Sequence, residues 1–265
     1  MNVKDVTIDL IIRLHDLQSH IHLNKLTFKY FCIEWFYIGQ LHNTREYHTA
    51  TVLNNGKVLV TDGLDMYDSV LNRSELYDPS TRKWTKTADM YFPRVFHTAS
   101  LLSNGKVLII GNDPDLGKAC ELYDPLTGNW TKTSSLHYSR PSHTATVLLN
   151  GKVLAVGEAV ENRADVKNTC DLYDPSTGNW SLTDSTNETR SDHTTSLLLD
   201  GKVLVTGGST GGFTSLKSSE VYNPLTGNWT LTGSMHDGRD AHTAVVLKNG
   251  SVNYGWPLWS WWYIQ

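Results

Sequence analysis

Five tryptophans, Trp35, Trp84, Trp130, Trp180 and Trp229, follow one another at intervals of 49, 46, 50 and 49 residues. A His-Thr pair begins 13 residues after each of them, at His48, His97, His143, His193 and His242. Three residues before each histidine stands an arginine: Arg45, Arg94, Arg140, Arg190 and Arg239. The wording Arg-x-x-His-Thr is therefore present five times. A chain with this self-similarity folds as an array of equivalent units, and periods of 20 to 50 residues mean solenoids, propellers or similar arrays.

Within each unit an apolar run after His-Thr leads to Asn55-Gly56, Asn104-Gly105, Asn150-Gly151, Asp200-Gly201 or Asn249-Gly250, followed by an alternating run such as Lys202-Val203-Leu204-Val205. Asn-Gly between β-rich runs signals a hairpin, and a type I′ turn with positive φ at both central residues is the expected form. A second hairpin follows in four copies, where Leu-Tyr-Asp-Pro (Leu122 to Pro125, for example) leads through Thr127-Gly128-Asn129 to the next Trp. Asp opens that turn, Pro presets φ and Gly takes the left-handed position. Each unit thus encodes four short strands, A to D, with no helix between them.

A four-stranded sheet of this size cannot bury both faces alone, whereas copies arranged radially can, which predicts an all-β propeller. Tyr77, Tyr123, Tyr173 and Tyr222, with Phe28 in the first copy, precede the Trp by seven residues and supply the large side chains between blades. Four complete periods run from Trp35 to Trp229, so about five four-stranded blades are expected. The last is either assembled from both termini or incomplete, because the repeat wording is lost after Gly250. Residues 26–255 form the propeller, 1–25 an amphipathic N-terminal helix with Leu10, Leu14, Leu17 and Ile21 on one face, and 256–265 an atypical Trp-rich tail.

The Arg-x-x-His-Thr-Ala, Asn-Gly-Lys-Val-Leu-Val and Leu-Tyr-Asp-Pro-x-Thr-Gly-Asn-Trp wording resembles the kelch repeat, in its galactose-oxidase-like branch, from Thr27 to Gly255. Kelch repeats carry a glycine doublet after strand B. Here only Gly207-Gly208 is complete; its equivalents are Asp62-Gly63, Gly111-Asn112 and Gly157-Glu158. The resemblance implies protein partners such as cytoskeletal proteins, ubiquitin-ligase components or cell-surface ligands. It also raises a copper radical oxidase, whose site in that branch uses a Tyr cross-linked to Cys, a second Tyr and two His. Cys120 and Cys170 occupy one repeat position, where other copies have Ser74 and Ser219, which marks them as interchangeable small residues in outer strands. No enzyme activity, metal or cofactor is expected.

Twenty-three basic against 27 acidic residues give a net charge of −4, which argues against a nucleic-acid partner. No stretch reaches the roughly 20 apolar residues of a membrane span, and charges at Lys4, Asp5, Asp9 and Arg13 interrupt any signal-peptide core, favouring a cytoplasmic location. Three cysteines in no C-x-x-C spacing exclude a zinc-built or disulfide-built fold.

In an antiparallel blade the A–B and C–D turns share one face, and the B–C and D–A connections share the other. The first face repeats nearly identical turns. The second carries every variable segment: 64–73, 113–119, 159–169, 209–218 and the residues before each Arg. Variable loops on a rigid scaffold are where binding is built. Candidate contact residues there are Tyr67, Asp68, Arg73, Tyr91, Phe92, Asp115, Tyr138, Arg163 and Phe213. The recurring Arg, His, Trp and Tyr are read as structural, the histidine bonding a neighbouring turn and the arginine a carboxylate or carbonyl. The expected function is non-catalytic protein–protein interaction, with glycan binding as the alternative.

Overall fold

A computed structural model describes residues 40–111, 117–140, 142–157, 159–162, 165–210 and 214–255, with the hairpin at 159–167 described by its backbone alone. The expected helix at 1–25, the tail at 256–265 and Trp35 lie outside the described residues.

The described chain is all-β. Blade 1 consists of β1 (Thr49–Val52), β2 (Val58–Thr61), β3 (Ser74–Asp78) and β4 (Lys83–Lys86). Blade 2 consists of β5 (Thr98–Leu101), β6 (Val107–Ile110), β7 (Cys120–Asp124) and β8 (Asn129–Thr133). Blade 3 has β9 (Thr144–Val147) and β10 (Val153–Val156), then an inserted hairpin of β11 (Ala159–Asn162) and β12 (Asp165–Lys167), then β13 (Cys170–Asp174) and β14 (Asn179–Thr183). Blade 4 is β15 (Thr194–Leu197), β16 (Val203–Thr206), β17 (Ser219–Asn223) and β18 (Asn228–Thr232). These four sheets are antiparallel meanders in the order A-B-C-D. A fifth sheet, β19 (Thr243–Val246) paired with β20 (Val252–Gly255), supplies strands A and B of the next unit. The expected fifth blade is therefore two-stranded among the described residues, and the segment proposed to complete it lies outside them.

Strand B is buried along its whole length in blades 1 to 3, and in blades 2 and 3 neighbouring blades cover both of its faces. In the fifth sheet β20 is only half-buried. The core is a series of joints. Leu102, Leu108, Ile110 and Leu136 of blade 2 pack with Val153, Ala155, Tyr173 and Trp180 of blade 3. Equivalent clusters join blades 1 and 2 and blades 3 and 4. Each Tyr–Trp pair forms across the C–D register, with ring centroids 5.0 to 5.1 Å apart, a tilted geometry that suits aromatic quadrupoles. It docks backward: Tyr123 Oη lies 2.9 Å from Thr87 Oγ1 and Trp130 Nε1 donates to Ala88 O at 3.0 Å. Tyr173 and Trp180 repeat this one blade later on Thr133 and Ser134.

The A–B turns differ from the expected type I′. Gly56 is left-handed at φ 79° whereas Asn55 is not, and the bonds Gly56 N to Leu53 O and Leu53 N to Lys57 O enclose a three-residue loop. This is a type I turn followed by a left-handed glycine in a bulge. The same pair of bonds recurs at Gly105, Gly151, Gly201 and Gly250. At the C–D turns Gly128, Gly178 and Gly227 take the left-handed position as expected, and Arg82 takes it in blade 1 at φ 55°. Cys120 and Cys170 sit in strand C but are fully buried within the joints, so they are core residues and not outer ones.

Candidate functional site

Four of the five recurring arginines, Arg45, Arg94, Arg140 and Arg190, are sealed inside the blades, and Arg239 is half-buried. Arg94 donates to Gly111 O and Ala119 O, both at 2.7 Å, and to Glu121 Oε1 at 2.9 Å. Its side chain thereby ties the end of strand B to the start of strand C and neutralises the strand-C carboxylate. Arg45 with Glu75, Arg140 with Asp171 and Arg190 with Glu220 repeat the arrangement. The residue three before each arginine reaches the same acid from outside: Tyr91 N donates to Glu121 at 2.8 Å and Asn187 N to Glu220 at 2.8 Å.

The histidines link blades. Thr49 Oγ1 lies 2.8 Å from His97 Nε2, Thr98 Oγ1 2.8 Å from His143, Thr144 Oγ1 2.9 Å from His193 and Thr194 Oγ1 3.0 Å from His242. The expected bond to a neighbouring turn is thus replaced by a bond to strand A of the preceding blade. Nδ1 of His143 donates to Arg140 O, which leaves Nε2 to accept from the threonine hydroxyl. Burial, reinforced by the nearby arginines, pushes His97 and His193 down to about 3, and burial pushes His143 down to about 4. These rings are neutral.

Threonines and histidines of successive strands A, together with Ala99, Ala145 and Ala244, line an axial cavity of about 400 Å³. Thr49 of blade 1 and Ala244 of the fifth sheet contribute to the same cavity, so the units are disposed around one axis.

At the variable-face mouth of this cavity the backbone shows a regularity that no residue type announces. The residue between each Arg-x and His-Thr is left-handed in all five copies: Tyr47, Phe96, Ser142, Asp192 and Ala241, with φ between 44° and 56°. None is glycine. In two copies the residue before it is pinned: Glu46 and Leu64 exchange both backbone bonds at 2.8 Å, as do Ser191 and Ser209 at 2.9 Å. The histidine after it is held by the previous blade. Between two anchors the chain must reverse within one residue, and the neighbours sustain the strained conformation. Tyr47 and Phe96 are 46% and 54% exposed with ring centroids 4.4 Å apart, and Ala241 N donates to Asp192 O at 2.8 Å. Adjacent ring members therefore touch across blade boundaries.

The residues expected from sequence to make contacts occupy separate connections. Tyr67 is 79% exposed at the tip of a turn in which Asp65 Oδ1 accepts from the amides of Tyr67 and Ser69. Asp68 is left-handed at φ 58° in that turn, and Arg73 reaches Asn43 Oδ1 at 3.5 Å. Tyr91 is exposed and Phe92 half-buried, with Lys132 Nζ 4.9 and 4.5 Å from their ring centroids. Tyr138 is half-buried on the way into blade 3. Asp115, Arg163 and Phe213 lie outside the described residues. The β11–β12 hairpin was not expected within 159–169. Sequence reasoning also missed the axial ring, whose only trace is one variable letter inside an otherwise fixed Arg-x-x-His-Thr.

Among the described residues, no three His, Cys, Asp or Glu side chains come together as metal ligands, and no helix is long and apolar enough to cross a membrane. The two described cysteines do not fit a copper centre of the oxidase kind: Cys120 and Cys170 are sealed in blade joints, where burial pushes both thiols up to about 12.

Two segments match the Kelch motif, residues 45–90 and 192–236. Both begin at the variable-face connection and run through a whole blade. No curated protein matches the chain. Among solved structures, the chain is similar to a fungal alcohol oxidase of the AA5 family in complex with copper, at 14% identity and a TM-score of 0.51. The match covers 79% of this chain and 58% of the oxidase, a likeness of fold. Repeated wording, four-stranded meanders around one axis and the two motif matches agree: the chain is built of kelch repeats folded as a β-propeller.

Proposed function

We propose that the protein is a non-catalytic interaction scaffold that binds a protein ligand on the face formed by the B–C and D–A connections. The contrast between the two faces carries this reading. The opposite face repeats one A–B turn geometry in every unit. The variable face instead holds the β11–β12 hairpin, the exposed turn at Tyr67 and the mixed axial ring. Exposed aromatic anchors on rigid supports are the usual centres of protein interfaces. Trp130, Trp180 and Trp229 are buried in the joints and are not available to stack on a sugar, which favours a protein ligand over a glycan.

Affinity capture with the full chain and with 159–169 and 209–218 replaced by neutral loops tests the reading. Loss of the recovered partners on replacement supports it, and unchanged recovery overturns it. Metal analysis of the purified protein tests the non-catalytic part, because an oxidase of the copper kind would retain about one tightly held copper ion per chain.

A further inference from the structure

We infer that Tyr47, Phe96, Ser142, Asp192 and Ala241 form a reading ring around the axial mouth, and that it takes an arginine-bearing, otherwise apolar segment of a partner protein. This rests on the reading of the variable face as the docking face and names the site and ligand chemistry on it.

The ring is built to present side chains. A left-handed residue is strained unless it is glycine, and the strain recurs at the same position in five units with five different side chains. In blades 2 to 4 each stands directly before a histidine that lines the cavity, and the backbone beside Tyr47 and Asp192 is pinned by paired bonds. Immediately behind, the cavity is walled by threonine hydroxyls and neutral imidazoles, which accept hydrogen bonds and do not repel a cation.

The chemistry of the mouth is one-sided. Among the two residues that follow each repeat arginine, Glu46, Asp192 and Asp240 are acidic and none is basic. Four of the five arginines do not offset this, because Arg45, Arg94, Arg140 and Arg190 are buried on strand-C carboxylates, while Arg239 is half-buried. Asp192 is exposed. On the opposite part of the ring, Tyr47 and Phe96 give two adjacent aromatic faces. A guanidinium stacks on such faces and pairs with carboxylates at once. Apolar neighbours of that arginine would find exposed Met66 and Tyr67 on the same blade. An acidic segment would meet the exposed carboxylate of Asp192.

The probe is a fluorescein-labelled peptide, Gly-Leu-Arg-Leu-Arg-Leu-Gly with capped ends, read by anisotropy against the full chain, beside the same peptide with both Arg replaced by Glu. Saturable binding of the arginine peptide alone is expected. It should weaken at least about tenfold in Tyr47→Ala/Phe96→Ala and in Asp192→Asn, and weaken further as salt rises from about 0.05 to about 0.5 M. All these side chains are exposed, so unchanged melting temperatures accompany the loss. No saturable binding, equal binding of the Glu peptide, or undiminished binding by the variants overturns the inference. If partner capture is lost on replacing 159–169 and 209–218 while the peptide fails to bind, the ring assignment alone is wrong. If capture survives that replacement, the reading of the face itself falls.

Discussion

Asp62 stands where blades 2 to 4 have Gly111, Gly157 and Gly207. It takes the left-handed conformation at φ 56°, is wholly buried, and neither carboxyl oxygen has a hydrogen-bond partner among the described residues. Burial pushes its acid up to about 9, against the pull of Arg94. The unfolded chain would ionise it near 3.8. Folding at neutral pH therefore has to protonate this group, at a cost on the order of 4 kcal/mol at pH 7. Asp62→Gly is expected to stabilise the protein by several kcal/mol, and Asp62→Asn by less because the left-handed Cβ remains. Urea unfolding at pH 7 measures both, and a destabilised glycine variant would show that the carboxyl is satisfied. The opposite outcome is expected at Arg140. Arg140→Ala strands Asp171 in the interior and frees the carbonyls of Gly157 and Thr169, costing about 3–5 kcal/mol. A loss of ligand binding with an unchanged melting temperature would instead place Arg140 at the binding site.

At the scale of the element, what sequence could show depended on how many residues a feature needs. Strand count, blade order and the Tyr–Trp pairing were legible because each is written at least four times over in apolar periodicity and fixed spacing. The turn type was not, because Asn-Gly marks a hairpin without saying which residue closes the hydrogen-bonded loop. Leu53 and Lys57 pair in the structure, so the loop is one residue longer than a type I′ turn and only Gly56 turns left. The β11–β12 hairpin escaped notice because the sequence between Asn162 and Asp165, Arg-Ala, is no turn signal. The axial ring escaped because a left-handed backbone is normally announced by Gly or Asn, and Tyr, Phe, Ser, Asp and Ala share no chemistry. Blade 1 provides a test of the turn account. Arg82 occupies the position that Gly128, Gly178 and Gly227 hold elsewhere, and Arg82→Gly is expected to raise stability by about 0.5–1 kcal/mol. A lower urea midpoint with an unchanged slope would contradict it.

For the whole molecule, the buried histidines and Asp62 pull stability in opposite directions with pH. A histidine held near 3 or 4 when folded, and titrating near 6.5 when unfolded, contributes stability that is complete above pH 6.5 and is lost as pH falls. His97, His143 and His193 each remove about 1.4 kcal/mol per pH unit below that value. Asp62, with its folded value raised, contributes stability present below pH 3.8 and lost as pH rises toward 9. Three groups outweigh one on the acid side, so thermal stability should peak near pH 6.5 and decline on both sides. In Asp62→Gly the alkaline decline should vanish while the acid decline persists. Melting temperatures across pH 4 to 9 check both limbs, and a flat profile would mean that the axial histidines are solvated.

The blade joints all point one way. Tyr123 and Trp130 rest on Thr87 and Ala88, and Tyr173 and Trp180 rest on Thr133 and Ser134, so each unit leans on the one that precedes it in the chain. During synthesis the N-terminal part emerges first. Every new unit thus meets a seat that is already formed and need not wait for residues still inside the ribosome. In blade 1 the Tyr77–Trp84 pair packs with Val58, Val60 and Leu41, a residue that precedes the first described strand. Through blades 2 to 4 the order of translation and the order of assembly therefore coincide.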